Sequence, residues 1–164
     1  MTSSVLPELL RHKTWATLQL IEFCQRLAPE HLDATVPGTY GSVRETLRHL
    51  LESDAGYLRR VTGEDIPPLP PETGLGARAE RFRTHAKRWE QLFQDQALPA
   101  RELTGPRGSM EAVAPMAQSI HHADDHRTQV LTILGARGIA VPDLDIWMFG
   151  TEMGFVRPSE AAPA

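Results

Sequence analysis

The 164-residue sequence has a single cysteine, Cys24, so no disulfide can form within the chain. This excludes the small secreted proteins that depend on disulfide frameworks, and it suits a reducing cytosol. Long apolar runs are also missing, since none approaches the roughly 18 residues that a membrane-spanning helix requires. The N-terminus lacks the charged start and apolar core of a signal peptide. We therefore expect a cytoplasmic protein with no membrane partner.

A cluster of positive charge is missing as well. The formal net charge is −4, and no block of basic residues occurs along the chain. A nucleic-acid-binding protein normally presents such a block, so DNA and RNA are not expected as partners. Apolar material is sufficient for a core, because 41% of the residues are hydrophobic and the length suits one domain. We predict one domain over residues 1–157, followed by a disordered tail over residues 158–164.

Four stretches repeat apolar residues at the three- and four-residue spacing of amphipathic helices. The first runs from Val5 until Pro29 stops it, because proline cannot continue a helix. The second begins at a capping box, in which Ser42 and Glu45 can each satisfy a backbone N–H of the first turn. Its pattern ends near Gly63. These two boundaries of the second helix are the clearest in the chain.

The other two predicted helices lie beyond a proline-rich linker at residues 66–71. The third covers residues 75–93, with its arginines, Arg78 among them, mostly on the solvent side. The fourth covers about residues 115–138, and a short hairpin at residues 105–108 is a further possibility between them. Four helices without an alternating strand pattern predict an all-α fold, a four-helix bundle with long crossover connections.

The C-terminal segment at residues 144–149 is too apolar for a free chain end. An exposed apolar segment of this kind normally marks a contact surface. We therefore expect it to pack back on the bundle or onto a partner chain.

A histidine pair in the fourth predicted helix carries the strongest chemical signal. His122 and His126 are four residues apart, so their rings lie on one face, about 6 Å apart along the axis. Two imidazoles at this spacing can hold one metal ion, and His49 in the second helix is our candidate for a third ligand. The alternative is a pair of histidines satisfied by hydrogen bonds to Asp124 or Asp125, without any metal.

The residues next to His122 and His126 exclude one class of metal site. Ala123 follows His122 at the position where the zincin protease motif needs a glutamate as general base, so that class is excluded. His121 makes a competing pair with Asp125, but it lies about 100° further around the helix and is expected to face solvent. Cys24 has apolar neighbours on the first helix, so we expect a buried side chain rather than a nucleophile.

The order of these residues resembles the DinB-like superfamily of metal-binding four-helix bundles. His49 is followed much later by the pattern H-x-x-x-H-R-x-Q, which here spans residues 122–129. Residues 142–150 resemble the segment that closes such chains, and residues 12–17 resemble the family's first helix. The resemblance covers nearly the whole chain. It implies the DinB-like bundle and a site at its histidines.

What the resemblance implies for the site is a divalent metal held by His49, His122 and His126. At least one coordination position would remain for water or substrate, which is the catalytic arrangement. Relatives in this superfamily include transferases and isomerases that use low-molecular-weight thiols such as bacillithiol or mycothiol. Many other members have no established activity.

Our leading hypothesis is therefore a metal-dependent thiol S-transferase, or a hydrolase, in which the metal activates a small thiol that attacks an electrophile such as an epoxide or halide. Arg127 is a candidate to steer a substrate carboxylate, and His12 is a candidate base near the site. The alternative for Arg127 is a surface salt bridge with Asp124 or Asp125. Gln129 either orients a ligand or satisfies a buried polar group.

The alternatives belong to other classes. One is a non-catalytic stress-response module whose metal braces the bundle, and another is a metal-free helical dimer. Zinc or nickel is the expected metal, with manganese or iron as alternatives, because histidine sites follow the general affinity order of divalent ions. A homodimer is expected from the apolar tail and from the resemblance.

Overall fold

The computed structural model describes residues 5–106 and 108–157. The described helices are α1 (Val5–Cys24), α2 (Pro29–Leu32), α3 (Val43–Thr62), α4 (Leu75–Leu92), α5 (Val113–Ala136) and α6 (Ile146–Glu152). The expected hairpin is also present, with β1 (Glu102–Gly105) antiparallel to β2 (Gly108–Glu111). None of the helices in these ranges combines the length and the apolar character needed to cross a bilayer.

The four long helices form the predicted bundle. Helix α5 packs against α1 and α3, and helix α4 packs against the same two, so the main contacts make a ring. Helices α1 and α3 are therefore diagonal neighbours, as are α4 and α5. The segment that joins α1 to α3 and the segment that joins α4 to α5 therefore each cross an end of the bundle. The all-α prediction with long crossover connections is confirmed.

Helix α3 begins and ends as the sequence predicts. The Ser42 hydroxyl accepts a hydrogen bond from the Glu45 amide at 3.2 Å, and the Ser42 amide donates to the Glu45 carboxylate at 2.8 Å. Gly63 ends the helix with a φ of +74°, a conformation that side chains with a Cβ rarely adopt. These caps fix the two ends of α3, the helix that carries His49.

Helix α1 is shorter than predicted and α5 starts slightly earlier. Helix α1 ends at Cys24 because the chain turns before the separate helix α2, which begins at Pro29. Ala28 is extended, as expected for a residue that precedes proline. Helix α5 begins two residues before Pro115, since proline is tolerated in a first helical turn.

The core has two apolar clusters separated by a layer of polar side chains. The larger cluster includes Leu20, Leu47 and Ile133, and the smaller includes Leu58 and Trp89. Between them lies what we call the buried polar layer, which consists of Lys13, Asp54 and His85. These three side chains come from α1, α3 and α4, and each is at most 8% exposed. An ion pair joins the Lys13 ammonium to the Asp54 carboxylate.

The prediction that the α4 arginines lie mostly on the solvent side is wrong for Arg78, which is only 3% exposed. Its guanidinium donates to the carbonyl oxygens of Thr73 and Pro70 at 2.9 Å and to that of Pro71 at 3.1 Å. The proline-rich linker folds back over the start of α4. Arg78 is buried because it supplies the hydrogen bonds that the linker carbonyls would otherwise lack.

The C-terminal segment packs back on the bundle in part. Leu144 and Phe149 are 8% and 2% exposed, whereas Trp147 remains 67% exposed. The ring of Phe149 lies against that of Trp15 on α1, with centroids 5.6 Å apart. The tail predicted over residues 158–164 lies outside the described residues.

Candidate metal centre

The structure brings together the three histidines that the sequence singled out. His49 comes from the middle of α3, and His122 and His126 come from α5, which packs along α3. One nitrogen of each ring lies within 4.8 Å of the others. His126 is 8% exposed, whereas His49 and His122 are half-buried. We call this group the histidine cluster, and it reaches the protein surface on one side.

The spacing of the nitrogens fits a shared cation. His49 Nε2 and His122 Nε2 are 3.1 Å apart. Two nitrogens bound to one ion at 2.0–2.1 Å in a tetrahedral arrangement are about 3.3 Å apart. The two helices therefore already hold this pair near the separation that a zinc-sized ion requires. The separations that involve His126 reach at most 4.8 Å, so the rings would have to move closer together to share one ion.

Gln129 fixes the tautomer of His126. The backbone amide of Tyr40 donates to Gln129 Oε1 at 3.0 Å, which identifies that atom as the side-chain oxygen. His126 Nδ1 lies 3.1 Å from the same oxygen, so it must be the donor in this contact. The neutral ring then carries its lone pair on Nε2. This is the second contact that metal-binding histidines normally make, and it agrees with the ligand-orienting role considered for Gln129.

Two tyrosines support the rings of the cluster. The Tyr40 ring stacks on His49 with centroids 4.2 Å apart and an interplanar angle of 15°. Tyr57 meets His122 edge to face at 5.6 Å. Both contacts restrict rotation of the histidine rings. The sequence analysis missed Tyr40, which lies in the loop before α3 and is 55% exposed.

Electrostatics favours neutral rings in the cluster. Burial lowers the pKa of His122 to about 4, with further lowering by the charges of His126 and His49. Burial, followed by the charge of His126, also lowers the pKa of His49. Imidazole binds metal only in its neutral form. His49 and His122 therefore present neutral nitrogens that can bind a metal ion at neutral pH.

Arg127 lies beside the cluster on α5 but is not a member of it. It pairs with Asp124, as the alternative in the sequence analysis expected, but it is only 3% exposed, so the guanidinium lies in the interior rather than on the surface. The guanidinium also donates to the Thr17 hydroxyl at 3.1 Å and to the Lys13 carbonyl at 3.3 Å. These contacts tie α5 to α1. The catalytic role assigned to Arg127 stays a prediction.

His12 and His121 take different positions. His12 is 8% exposed, and its Nε2 lies 2.7 Å from the Leu144 carbonyl oxygen, so this nitrogen carries the proton. The contact ties α1 to the C-terminal segment, and the proposed role of His12 as a base stays a prediction. The His121 side chain is 70% exposed and lies 3.4 Å from Asp125. The predicted solvent-facing pair is confirmed.

Comparison with known proteins gives one informative result. No curated protein matches the chain. The DinB family model matches residues 1–153, which include all four long helices, the three clustered histidines and α6. The expected resemblance is confirmed over nearly the whole length, and the chain belongs to the DinB family.

Proposed function

We propose that the protein is a metal-dependent enzyme that transfers a low-molecular-weight thiol to an electrophile, with His49, His122 and His126 as the metal ligands. The observation that carries the proposal is the convergence of three imidazole nitrogens within 4.8 Å, at a place where two of the rings are partly open to solvent. Three protein ligands leave a coordination position for a substrate, as in catalytic rather than structural sites.

A divalent ion bound there would lower the pKa of a small thiol, so that the thiol reacts as a thiolate near neutral pH. The thiol proton passes to solvent. The sulfur electron pair forms a carbon–sulfur bond while the carbon–halogen or carbon–oxygen bond of the electrophile breaks. The leaving group departs as halide, or as the alkoxide of an opened epoxide, which takes a proton from water.

The chain's own residues prepare this site by fixing the ligands. Gln129 holds His126 with Nε2 free, and Tyr40 holds the ring plane of His49. Preorganised ligands reduce the ordering that metal and substrate binding would otherwise require. Zinc or nickel is the expected metal, with manganese or iron as alternatives, since three imidazoles suit several divalent ions.

The second candidate function is a metal-braced stress-response module without turnover. It is favoured by the direct contact between His49 and His122, because an ion shared by these residues would join α3 to α5. Metal removal would then lower the free energy of unfolding without affecting any reaction. Turnover with thiols distinguishes the two candidates.

A homodimer is a separate part of the proposal. Its support is the exposed apolar group on α6, where Trp147 and Met148 are 67% and 48% exposed. Side chains of this size rarely gather on the surface of a monomer. Sedimentation of the native chain beside a Trp147→Lys variant tests it, and an unchanged monomer in both samples would contradict it.

The first test is elemental analysis of protein purified without an affinity-column metal. We expect about one divalent ion per chain, in line with one three-histidine site. The His49→Ala and His122→Ala variants should lose it. His121→Ala is the matched control, because His121 lies on the same helix but faces solvent.

Thiol transfer is then assayed with bacillithiol or mycothiol and a halide or epoxide, following the thioether product by mass spectrometry. Product that depends on His122 would support the enzyme. Bound metal without turnover would favour the stress-response module, and native protein that takes up no ion from zinc, nickel or manganese would refute both.

A further inference from the structure

We propose that a cavity beneath the proline-rich linker is a second binding site, and that it takes a small aromatic carboxylate. The cavity has a volume of about 210 Å³ and lies between α3, α4 and residues 66–69. None of its lining residues belongs to the histidine cluster. The proposal is therefore independent of the metal and of the proposed reaction. We call this space the linker cavity.

Arginines fix the linker that forms the roof of the cavity. Arg59 on α3 donates to the Ile66 carbonyl at 3.3 Å, and Arg81 on α4 donates to the Pro67 carbonyl at 3.3 Å. Prolines have no amide N–H, so the linker cannot hold itself with a regular backbone ladder. The two guanidinium groups bind it from opposite helices. The roof is thus attached to both walls, and the space below it is a built feature of the fold.

The charges around the linker cavity are unbalanced in favour of anions. Its lining residues include Arg59, Arg78 and Arg81 but only one acidic residue, Glu52. Arg78 pairs with Glu52 at 3.3 Å. In the described part of the chain, neither Arg59 nor Arg81 has a carboxylate at ion-pair distance, because their identified bonds go to neutral carbonyls. Two such groups at one cavity suit a carboxylate, which accepts parallel hydrogen bonds from guanidinium.

The interior suits an apolar ring. Leu51, Ala55 and Phe82 contribute apolar wall, and an apolar cavity of about 150 Å³ is already large enough to bind benzene. A volume of about 210 Å³ therefore accommodates a benzene ring with one carboxylate. Longer acyl chains would not fit.

His85 adds a polar element to the same wall. It is 5% exposed, and neither of its ring nitrogens has a hydrogen-bond partner among the described residues. Its Nδ1 lies 3.6 Å from the Asp54 carboxylate, beyond hydrogen-bond range. Nδ1 therefore keeps an electrostatic contact with Asp54, whereas Nε2 has no partner among the described residues, and a bound ligand could offer it one.

The test is titration of the full-length protein with benzoate, with binding monitored by calorimetry and by NMR. We expect saturable binding at one site per chain, with shifts at residues of α3, α4 and the linker. Arg59→Gln and Arg81→Gln should each weaken binding about tenfold, the scale of one charged hydrogen bond. Arg60→Gln is the matched control, because Arg60 is the next residue on α3 and does not line the cavity. Benzamide, which has no charge, should bind at least about tenfold more weakly than benzoate.

Two further variants test whether benzoate binds in the linker cavity rather than at the histidine cluster. Ala55→Phe should fill the linker cavity and abolish binding, while bound metal is unaffected. His122→Ala should retain benzoate binding, because a carboxylate held at the histidine cluster instead would be lost with that ligand. Loss in His122→Ala, equal weakening in Arg60→Gln, or no saturation up to the solubility limit would each overturn the proposal.

Discussion

The histidine cluster and the buried polar layer both depend on α3, yet they balance charge in opposite ways. In the buried polar layer, Asp54 faces the Lys13 ammonium, so opposite charges compensate each other inside the core. In the histidine cluster, three like groups converge near the surface, and every protonated ring would repel the next. The charges of Lys13 and Asp54 compensate each other without a ligand, although His85 Nε2 in the same layer has no hydrogen-bond partner in the described part of the chain. The histidine cluster could hold a cation between its three rings, which makes it the better candidate for function.

The pKa shifts show the same difference. Burial acts to raise the pKa of Asp54, but the Lys13 charge and the interactions with His85 outweigh it and hold that pKa below its ordinary range. The Trp89 ring lies 5.0 Å from the Lys13 ammonium and adds a cation–π contact. For His122, burial and the charges of His126 and His49 lower the pKa and outweigh the opposing charges of Asp125 and Asp54, so the neutral ring is favoured. The surroundings of Asp54 thus stabilise its charged form, whereas the surroundings of His122 disfavour its charged form.

Breaking the buried polar layer should have the largest effect on stability. Asp54→Ala leaves Lys13 charged and buried without its partner, so we expect the free energy of unfolding to fall by about 3–5 kcal/mol. Urea unfolding measures it. The Lys13→Met, Asp54→Leu double variant is the control, because it removes both charges and should recover most of the loss. A cost below about 1 kcal/mol for Asp54→Ala would show that the ion pair is not needed.

In metal-free protein, the histidine cluster and the buried polar layer should lose their contributions to stability over different pH ranges. An unfolded chain protonates His122 near the ordinary pKa of 6.5, whereas the folded chain does so only near about 4. The unfolded state therefore binds the extra proton, and stability falls between these values, by about 2 kcal/mol when the screening of a half-exposed group is allowed for. Asp54 has a folded pKa below its ordinary 3.8, so its contribution is present above that pH and is lost as the pH falls through the folded value.

Unfolding measured from pH 7 to pH 3 in two variants checks this separation. His122→Ala should flatten the decline between pH 6.5 and about 4 but leave the steeper loss at lower pH. The Lys13→Met, Asp54→Leu variant should do the reverse. Identical profiles for both variants would contradict the assignment.

Removing the support of one ligand should have a smaller effect, confined to the histidine cluster. Gln129→Leu removes the acceptor that orients His126, so metal affinity should fall about 10- to 100-fold. Competition with a chromophoric chelator measures it. Gln118→Leu is the control, since Gln118 is exposed on the same helix. Equal affinities in the two variants would remove Gln129 from the site.

The smallest effect should come from the stacked ring. Tyr40→Leu keeps the backbone amide that bonds Gln129 and removes only the contact with His49. Because Tyr40 is 55% exposed, the loss should stay near the lower end of aromatic-pair energies, about 0.5 kcal/mol or roughly twofold in metal affinity. The same chelator competition measures it, and a loss as large as that in Gln129→Leu would show that stacking, rather than the hydrogen bond, orients the cluster.

Features that depend on local sequence were predictable. The capping box at Ser42, the end of α3 at Gly63 and the pairing of His122 with His126 on one helical face follow from short-range geometry. Cys24 is buried as expected, and burial raises its pKa to about 12. The proximity of His49 followed from the bundle fold that the resemblance implied.

Features that join distant segments were not predictable from the pattern of the sequence. The contact between Tyr40 and Gln129 spans 89 positions and involves a loop with no helical period. Lys13 and Arg78 are charged, and a pattern of apolar residues assigns charged side chains to the surface. Each is buried because a partner from another segment compensates it, and neither partner can be identified until the bundle is assembled.

The order of the helices along the chain also sets the order in which the site is completed during synthesis. His49 precedes His122 by 73 positions, and α5 is the last of the four long helices. At roughly 5–20 residues per second, a ribosome needs about 4–15 s to translate the intervening segment. During that interval the nascent chain has one of the three candidate ligands, and the face of α3 that will meet α5 has no partner. A cation bound by all three rings could therefore bind only after α5 has docked.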